Sequence, residues 1–280
     1  MILDIVIYIF NKEKELLNIF NKMEDELKNI KHRYVFVDDS STDKSLEILR
    51  KIQNNNEPIV KIISLSKSYG KDKCIYTGIC NTTHNLVCIY DLDLDSSVTY
   101  ITKMYDYIIK HKEIDQICME SNYNENDLKT KLTIKVYNSL FELKINNNKT
   151  YYRILNRNLV NALKNITIPF SNYLIDNLGF KTHYLKFDNN KISNDNLSKY
   201  LVYSKKQFIF LKYINIFLII LLFIDLVLTI IGVFKTHYLI IIIMIIYSIL
   251  NTITYELLNS KKYDNNYSIK EKIGFEDNVL

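Results

Sequence analysis

The sequence predicts an α/β domain with a mostly parallel sheet, followed by an amphipathic helix and a two-helix transmembrane hairpin. Three observations lead there. Over residues 1–119, short apolar runs rich in β-branched residues alternate with segments of helical period, the pattern of βαβ units. Polar and acidic clusters fall at the carboxyl ends of those runs, where sheets of this kind bind ligands. Two long apolar stretches then occupy 208–234 and 239–258, each close to the ~20 residues that a bilayer core requires.

Strands are expected at 2–10, 34–37, 59–65, 86–90 and 114–119, and helices at 13–30, 44–52, 71–79 and 98–109. The first run lacks a basic flank and a small-residue cleavage site, so it suits a β-strand better than a signal peptide. Beyond 120 the pattern loosens, with a helix at 128–143, a strand at 151–155, a helix at 158–163 and a strand at 179–187. Residues 197–208 are basic and amphipathic through Lys199, Lys205 and Lys206, which suits a helix lying on an anionic membrane surface.

Lys205, Lys206, Lys212, Lys261 and Lys262 flank the outer ends of the apolar stretches, against Lys235 alone in their connection. The positive-inside rule therefore puts both termini in the cytoplasm and the protein in the cytoplasmic (inner) membrane. A buried core hairpin is the competing account, but a domain this small could not wrap both helices. Asp225, near the middle of the first span, is expected to be protonated or paired with Ser248, Asn251 or a neighbouring subunit. The hairpin is accordingly a candidate surface for a homo-oligomer. The expected organisation is a cytosolic domain at 1–195, a juxtamembrane helix at 196–207, the hairpin at 208–258 and a cytosolic tail at 259–280.

Composition narrows the class. Hydrophobic residues make up 48% of the chain and Gly and Pro number only 5 and 2, which excludes linker-rich and collagen-like chains. The formal charge of +5 is modest, and no nucleic-acid partner is expected. Cys74, Cys80, Cys88 and Cys118 lie in or beside apolar segments without C-x-x-C spacing. That argues against zinc ligation and disulfides, and for buried reduced thiols.

The segment 90–95 carries the most chemistry. Asp91, Asp93 and Asp95 follow a buried-strand pattern, and at i, i+2 and i+4 of extended backbone they project to one side. Such a row repels itself inside a core unless a hard divalent cation and its phosphate ligand compensate. A simpler reading remains open, in which these acids and Ser96–Ser97 cap the next helix. Asp38 and Asp39 end the second strand and could equally form an Asx turn. Lys67 and Lys71 bracket Gly70, a residue that permits close backbone approach; a solvated loop is the alternative.

Taken in order, these motifs resemble family 2 glycosyltransferases of the GT-A fold, in the polyprenyl-phosphate branch of bactoprenol glucosyltransferases and dolichyl-phosphate mannose synthases. Residues 5–13 resemble the first strand and its V-I-P-x-Y-N-E ending, and 37–43 resemble V-N-D-G-S-x-D. Residues 65–78 are similar to L-S-R-N-F-G-K-E-x-x-x-x-A-G, 91–95 to D-A-D-L-Q, and 152–157 to F-R-L-L-D-R. Ser198-Lys199-Tyr200 matches the S-K-Y before the membrane helices, and 267–275 resembles the cytosolic tail.

The resemblance implies a metal-dependent, inverting transfer of a sugar from a nucleotide diphosphate sugar, UDP-hexose above all, to undecaprenyl phosphate beside the bilayer. It implies nucleotide contacts from Tyr8, Phe10, Asn11, Asp38, Asp39, Lys67, Gly70, Lys71, Asp91 and Leu92. Asp91, Asp93 and Asp95 would hold Mg²⁺ or Mn²⁺. Asp93, Arg153 and Arg157 would serve catalysis, the arginines gripping phosphate unless they form structural ion pairs. Lys199 and Arg153 would meet the lipid phosphate, a part that membrane-surface attraction also explains for Lys199. The chain departs from the pattern at Tyr8 for Pro, Lys12 for the N-E glutamate, an Arg-free 123–131, and Tyr151 for the acidic residue of G-D-F-R. Those departures suit a rival reading, a catalytically impaired homologue serving as membrane scaffold or regulatory partner.

Overall fold

The computed structural model describes residues 1–92, 98–122, 148–166, 170–187 and 267–275, with scattered positions between 131 and 139 and between 216 and 248. Among these, eight strands form one sheet: β1 (Leu3–Ile9), β2 (His32–Asp38), β3 (Val60–Leu65), β4 (Leu86–Tyr90), β5 (Gln116–Ser121), β6 (Lys149–Asn156), β7 (Thr182–Phe187) and β8 (Ile269–Ile273). Their order is β7-β5-β6-β4-β1-β2-β3-β8. The predicted parallel core is present, since β1 pairs in parallel with both β2 and β4, and β2 with β3. Helices α1 (Leu16–Glu26), α2 (Ser45–Asn55), α3 (Lys71–Cys80), α4 (Thr99–Lys110), α5 (Arg157–Lys164) and α6 (Asn172–Asn177) accompany it.

Strand periodicity divides the core into two layers. Leu3, Ile5, Ile7 and Ile9 of β1 face α1, α2 and α4, where Leu16, Phe20, Leu49, Ile101 and Met104 complete one cluster. Val6, Val35, Val37 and Ile89 face the other way, against Cys74, Ile75 and Ile79 of α3 and Leu159 and Leu163 of α5. Gly78 sets how closely α3 approaches: a Cβ there would lie 2.3 Å from Cγ1 of Val6. The four cysteines are free, three of them buried.

Two strands break the parallel pattern. β6 runs antiparallel between β4 and β5. β8, from the tail, adds antiparallel to the β3 edge, so 264–280 joins 1–124 and 147–194 in one compact unit. No strand pattern marks this segment in the sequence, because Lys270, Glu271 and Lys272 stand consecutively between Ile269 and Ile273 on an edge whose outer face stays wet. Short α6 has no counterpart among the expected helices.

A second unit comprises 125–146 and 195–263. Its described helical positions Ile216, Phe217, Ile220, Phe223, Ile224 and Val227 are apolar and exposed. Among the described residues no helix is long and apolar enough to cross a membrane. The expected helices at 128–143 and 197–208 and the spans at 208–234 and 239–258 lie mostly or wholly outside them.

Candidate active site

The carboxyl ends of β1 to β4 gather the polar residues that the sequence singles out. Asp39 and Asp91 both fall on the α3 side of the sheet, in phase with Val37 and Ile89. Both are almost wholly buried. Asp91 Oδ1 accepts a hydrogen bond of 2.5 Å from the Lys71 ammonium. That ammonium also stands 6.0 Å from the centre of the Tyr8 ring, so the tyrosine in the motif's proline position helps to seat the lysine. Asp93 and Asp95 lie outside the described residues, as does Lys199.

Asp39 organises the adjoining loop. Its carboxylate accepts from Ser68 Oγ at 2.8 Å, Tyr69 N at 2.7 Å and Gly70 N at 3.0 Å. Gly70 takes φ +87° with nothing within 4 Å of where a Cβ would stand. Its requirement is therefore the left-handed backbone, and the space it leaves is open. The turn aims the start of α3 at the site, where first-turn N–H groups and the helix dipole favour an anion. Lys67 is exposed, its ammonium 5.2 Å from the Tyr69 ring centre.

Asp38 faces the opposite layer, accepting from Ser41 N at 3.2 Å and from Ser64 Oγ at 3.1 Å. This is the Asx-type arrangement that the sequence left open. Asn11 and Ser40 follow β1 and β2 with positive φ of 52° and 59°. Asn11 donates its N–H to Ser41 Oγ at 3.0 Å and accepts from Thr42 N at 2.9 Å, tying the two strand ends together. Phe10 is exposed beside it and Leu92 is partly buried against the α4 layer.

Tyr151, which replaces the expected acid, is buried on β6. Extending the pairing of Ile89 with Arg153 by two positions sets Tyr151 opposite Asp91. Its hydroxyl donates a short hydrogen bond to Asp72 and accepts from Asn172 N at 2.7 Å. Asp72 thus stands beside that position from a different element. Nothing in the sequence marks it, because an acidic residue in the first turn of a helix is ordinary.

The two arginines are placed differently from the expectation. Arg153 is fully buried. It donates to Gln116 Oε1 at 3.1 Å, Asp176 Oδ1 at 3.0 Å, the Thr150 carbonyl at 2.8 Å and Asn172 Oδ1. Its Nη1 and Nη2 groups are thus committed within the protein, Nη1 to a buried structural ion pair with Asp176, the alternative to phosphate gripping that the sequence left open. Arg157 follows β6 at the opposite rim, because β6 is antiparallel and Asn156 pairs with Leu86 at the start of β4. It donates to the carbonyls of Thr82 and His84, and the structure does not bring it to Asp91.

Residues 4–168 match glycosyl transferase family 2. An uncharacterised glycosyltransferase of Synechocystis is 30% identical over 193 residues, covering 66% of this chain and 60% of that protein. A bactoprenol glucosyl transferase of Shigella phage SfX is 25% identical, over 59% of this chain and 55% of its own. Glucosyl-3-phosphoglycerate synthase from Mycobacterium tuberculosis, solved with Mn²⁺, uridine-diphosphate and glucosyl-3-phosphoglycerate, superposes with a TM-score of 0.52 at 14% identity, covering 72% of this chain and 76% of that one. This last likeness speaks for the fold alone.

Proposed function

The chain belongs to glycosyl transferase family 2, and from that premise we propose that it moves a hexose from a nucleotide diphosphate sugar, UDP-linked, to a polyprenyl phosphate at the cytoplasmic face of a membrane. The observation that carries this reading is the buried Asp91 held by Lys71 at 2.5 Å, next to the loop that Asp39 fixes. A carboxylate buried at a strand end needs positive charge beside it, and the Lys71 ammonium stands in for the cation that a nucleotide complex would bring. The donor set, carboxylate oxygen at Asp91 with Asp93 and Asp95 following in sequence, suits Mg²⁺ or Mn²⁺. When bound, such an ion neutralises charge on the diphosphate leaving group.

The residues of the chain supply the rest. Lys71 and Lys67 offer charge to the diphosphate, and the start of α3 offers backbone donors. Asp39 keeps Tyr69 and Gly70 ordered at the rim of the site. An acceptor phosphate monoester has a second pKa of about 6, so it is largely ionised near neutral pH and asks little of a general base. Orientation and leaving-group stabilisation then carry the rate despite Tyr151.

Membrane anchoring by the 208–258 stretch belongs to this reading, as do an inverting displacement and self-association. The exposed apolar helical positions from Ile216 to Val227 support anchoring, since a water-facing patch of that kind invites a lipid or protein cover. Homologues named as bactoprenol glucosyl transferases support the lipid acceptor. The test is incubation of the full chain with labelled UDP-hexoses, Mn²⁺ and polyprenyl phosphate. Label entering the organic-extractable fraction supports the proposal; label confined to water-soluble products removes the lipid acceptor.

One observation favours a second reading, a non-catalytic partner: the hydroxyl of Tyr151 is committed to Asp72 and Asn172 where the family places an acid. Absence of a thermal shift with UDP and Mn²⁺, together with no effect of Asp91→Ala on any transfer, would establish that reading instead.

A further inference from the structure

The loop Ser66–Gly70 is held from two sides. On one side Asp39 takes the hydroxyl of Ser68 and the backbone N–H groups of Tyr69 and Gly70. On the other stands Ser268, which leads into β8. Ser66 N donates to the Ser268 carbonyl at 3.0 Å, and the two serine hydroxyls share a short hydrogen bond. Tyr69 Oη lies 2.7 Å from Ser268 Oγ and accepts from Ser268 N at 3.1 Å. The ring of Tyr69 in turn carries two cations, Lys67 at 5.2 Å and Lys73 at 5.4 Å from its centre.

We infer that Tyr69 and Ser268 are positioning residues for transfer, through which the C-terminal strand β8 sets the loop and its cationic flank over the nucleotide diphosphate. This rests on the reading that the Asp39–Lys71–Asp91 rim takes that donor. The physical ground is ordering entropy. Fixing a residue's backbone costs about 1–2 kcal/mol, and a loop fixed in advance binds more tightly because the cost is not met on binding. Asp39 secures the backbone of the carboxyl half of the loop; the Tyr69 hydroxyl, and Ser66 at the start, gain their described ties from the tail.

The strand is anchored well enough to do this. Beyond its ladder with β3, Glu271 pairs with Arg50 at 2.5 Å and Lys272 donates to Asn81 Oδ1 at 2.7 Å. Lys61 donates to the Gly274 carbonyl, and the Tyr267 ring meets Tyr76 edge-on at 6.5 Å. In sequence, β8 follows the apolar stretches at 208–258 after ten intervening residues.

The test uses the full chain and three variants. Tyr69→Phe keeps the ring and removes the hydroxyl, Ser268→Ala removes its partner, and Ser268→Thr keeps both the hydroxyl and the N–H. In Tyr69→Phe and Ser268→Ala, KM for the UDP-sugar should rise about tenfold, the effect of one to two lost hydrogen bonds. Their kcat and melting temperature should stay near wild type, and Ser268→Thr should restore the wild-type KM. Amide hydrogen exchange at Ser66, Tyr69 and Gly70, read without any nucleotide, should quicken about tenfold in the first two variants. Unchanged exchange and unchanged KM overturn the inference, and so does a parallel fall in melting temperature and kcat, which marks β8 as generic scaffold. A wild-type chain that binds no UDP defeats the proposed function, while the exchange data still decide whether the tail orders the loop.

Discussion

The two rims of the sheet each bury an aspartate, and they use it in opposite ways. At the amino ends of the parallel strands, Asp4 is wholly enclosed and saturated. It accepts from Arg33 Nε and Nη2 at 2.9 and 3.0 Å, from the backbone of Thr83 and His84 at 3.0 Å each, and from His84 Nδ1 at 2.7 Å. At the carboxyl ends, Asp91 leans on a lysine that is itself partly exposed, in a segment that continues into two further aspartates. A carboxylate with five donors is finished as structure. One whose described ion pair is with a partly exposed ammonium can exchange that cation for a ligand, and this is what separates a scaffold rim from a functional rim.

The sharpest break in that comparison comes from removing each carboxylate. Asp4→Ala strands Arg33 and should cost about 3–5 kcal/mol, the usual penalty for breaking a buried pair, visible in denaturant unfolding. Burial alone would raise the pKa of Asp4, but hydrogen bonds from His84 and the charge and hydrogen bond of Arg33 outweigh it and hold the pKa below its ordinary 3.8. Its stabilisation is therefore complete above about 3.8 and is lost as the pH falls through the lower folded value. The stability gap between wild type and Asp4→Asn should close in that acid window, and a gap that persisted at still lower pH would contradict the account. Asp91→Ala should reverse the pattern, with transfer falling at least about 100-fold and a smaller loss of stability. Equal stability losses at both rims would erase the distinction.

The same contrast shows what could be read from sequence. The strand pattern located Asp38, Asp39, Lys71 and Asp91 because local periodicity alone fixes where strands end. It could not locate Arg157, whose rim depends on β6 running antiparallel, a property of pairing and not of local pattern. Arg153 matched a motif yet is consumed by Gln116, Asn172 and Asp176, partners spread over β5 and the short α6. The β8 strand carries no such signal, because the charged run from Lys270 to Lys272 is ordinary on an edge and equally ordinary in a tail.

Tyr151 tests the border between the two kinds of rim, since it sits at the functional end and makes structural bonds. Tyr151→Phe leaves the Asn172 N–H without its described acceptor in a buried setting, which should cost about 1–3 kcal/mol. If the acceptor phosphate supplies its own charge, kcat should fall much less than in Asp91→Ala. A collapse of kcat with unaltered melting temperature would instead give the phenol a chemical role.

The smallest effect concerns strain. Among the described residues, both non-glycine residues with positive φ, Asn11 and Ser40, lie at the functional rim, as stored strain at a site would have it. Asn tolerates this conformation, and the Asn11 side chain repays it by accepting from Thr42 N. Ser40 occupies the glycine position of the V-N-D-G-S-x-D pattern, and a left-handed L-residue costs roughly 1–2 kcal/mol. Restoring glycine recovers most of that, less the roughly 0.5–1 kcal/mol of extra chain entropy that glycine loses on folding. Ser40→Gly should therefore gain about 0.5–1 kcal/mol, raising Tm by about 2–4 °C at the upper end for a domain of this size, while Asn11→Gly should gain nothing. A Ser40→Gly protein no more stable than wild type would mean that the rim carries no stored strain at this turn, leaving its difference from the Asp4 rim to charge alone.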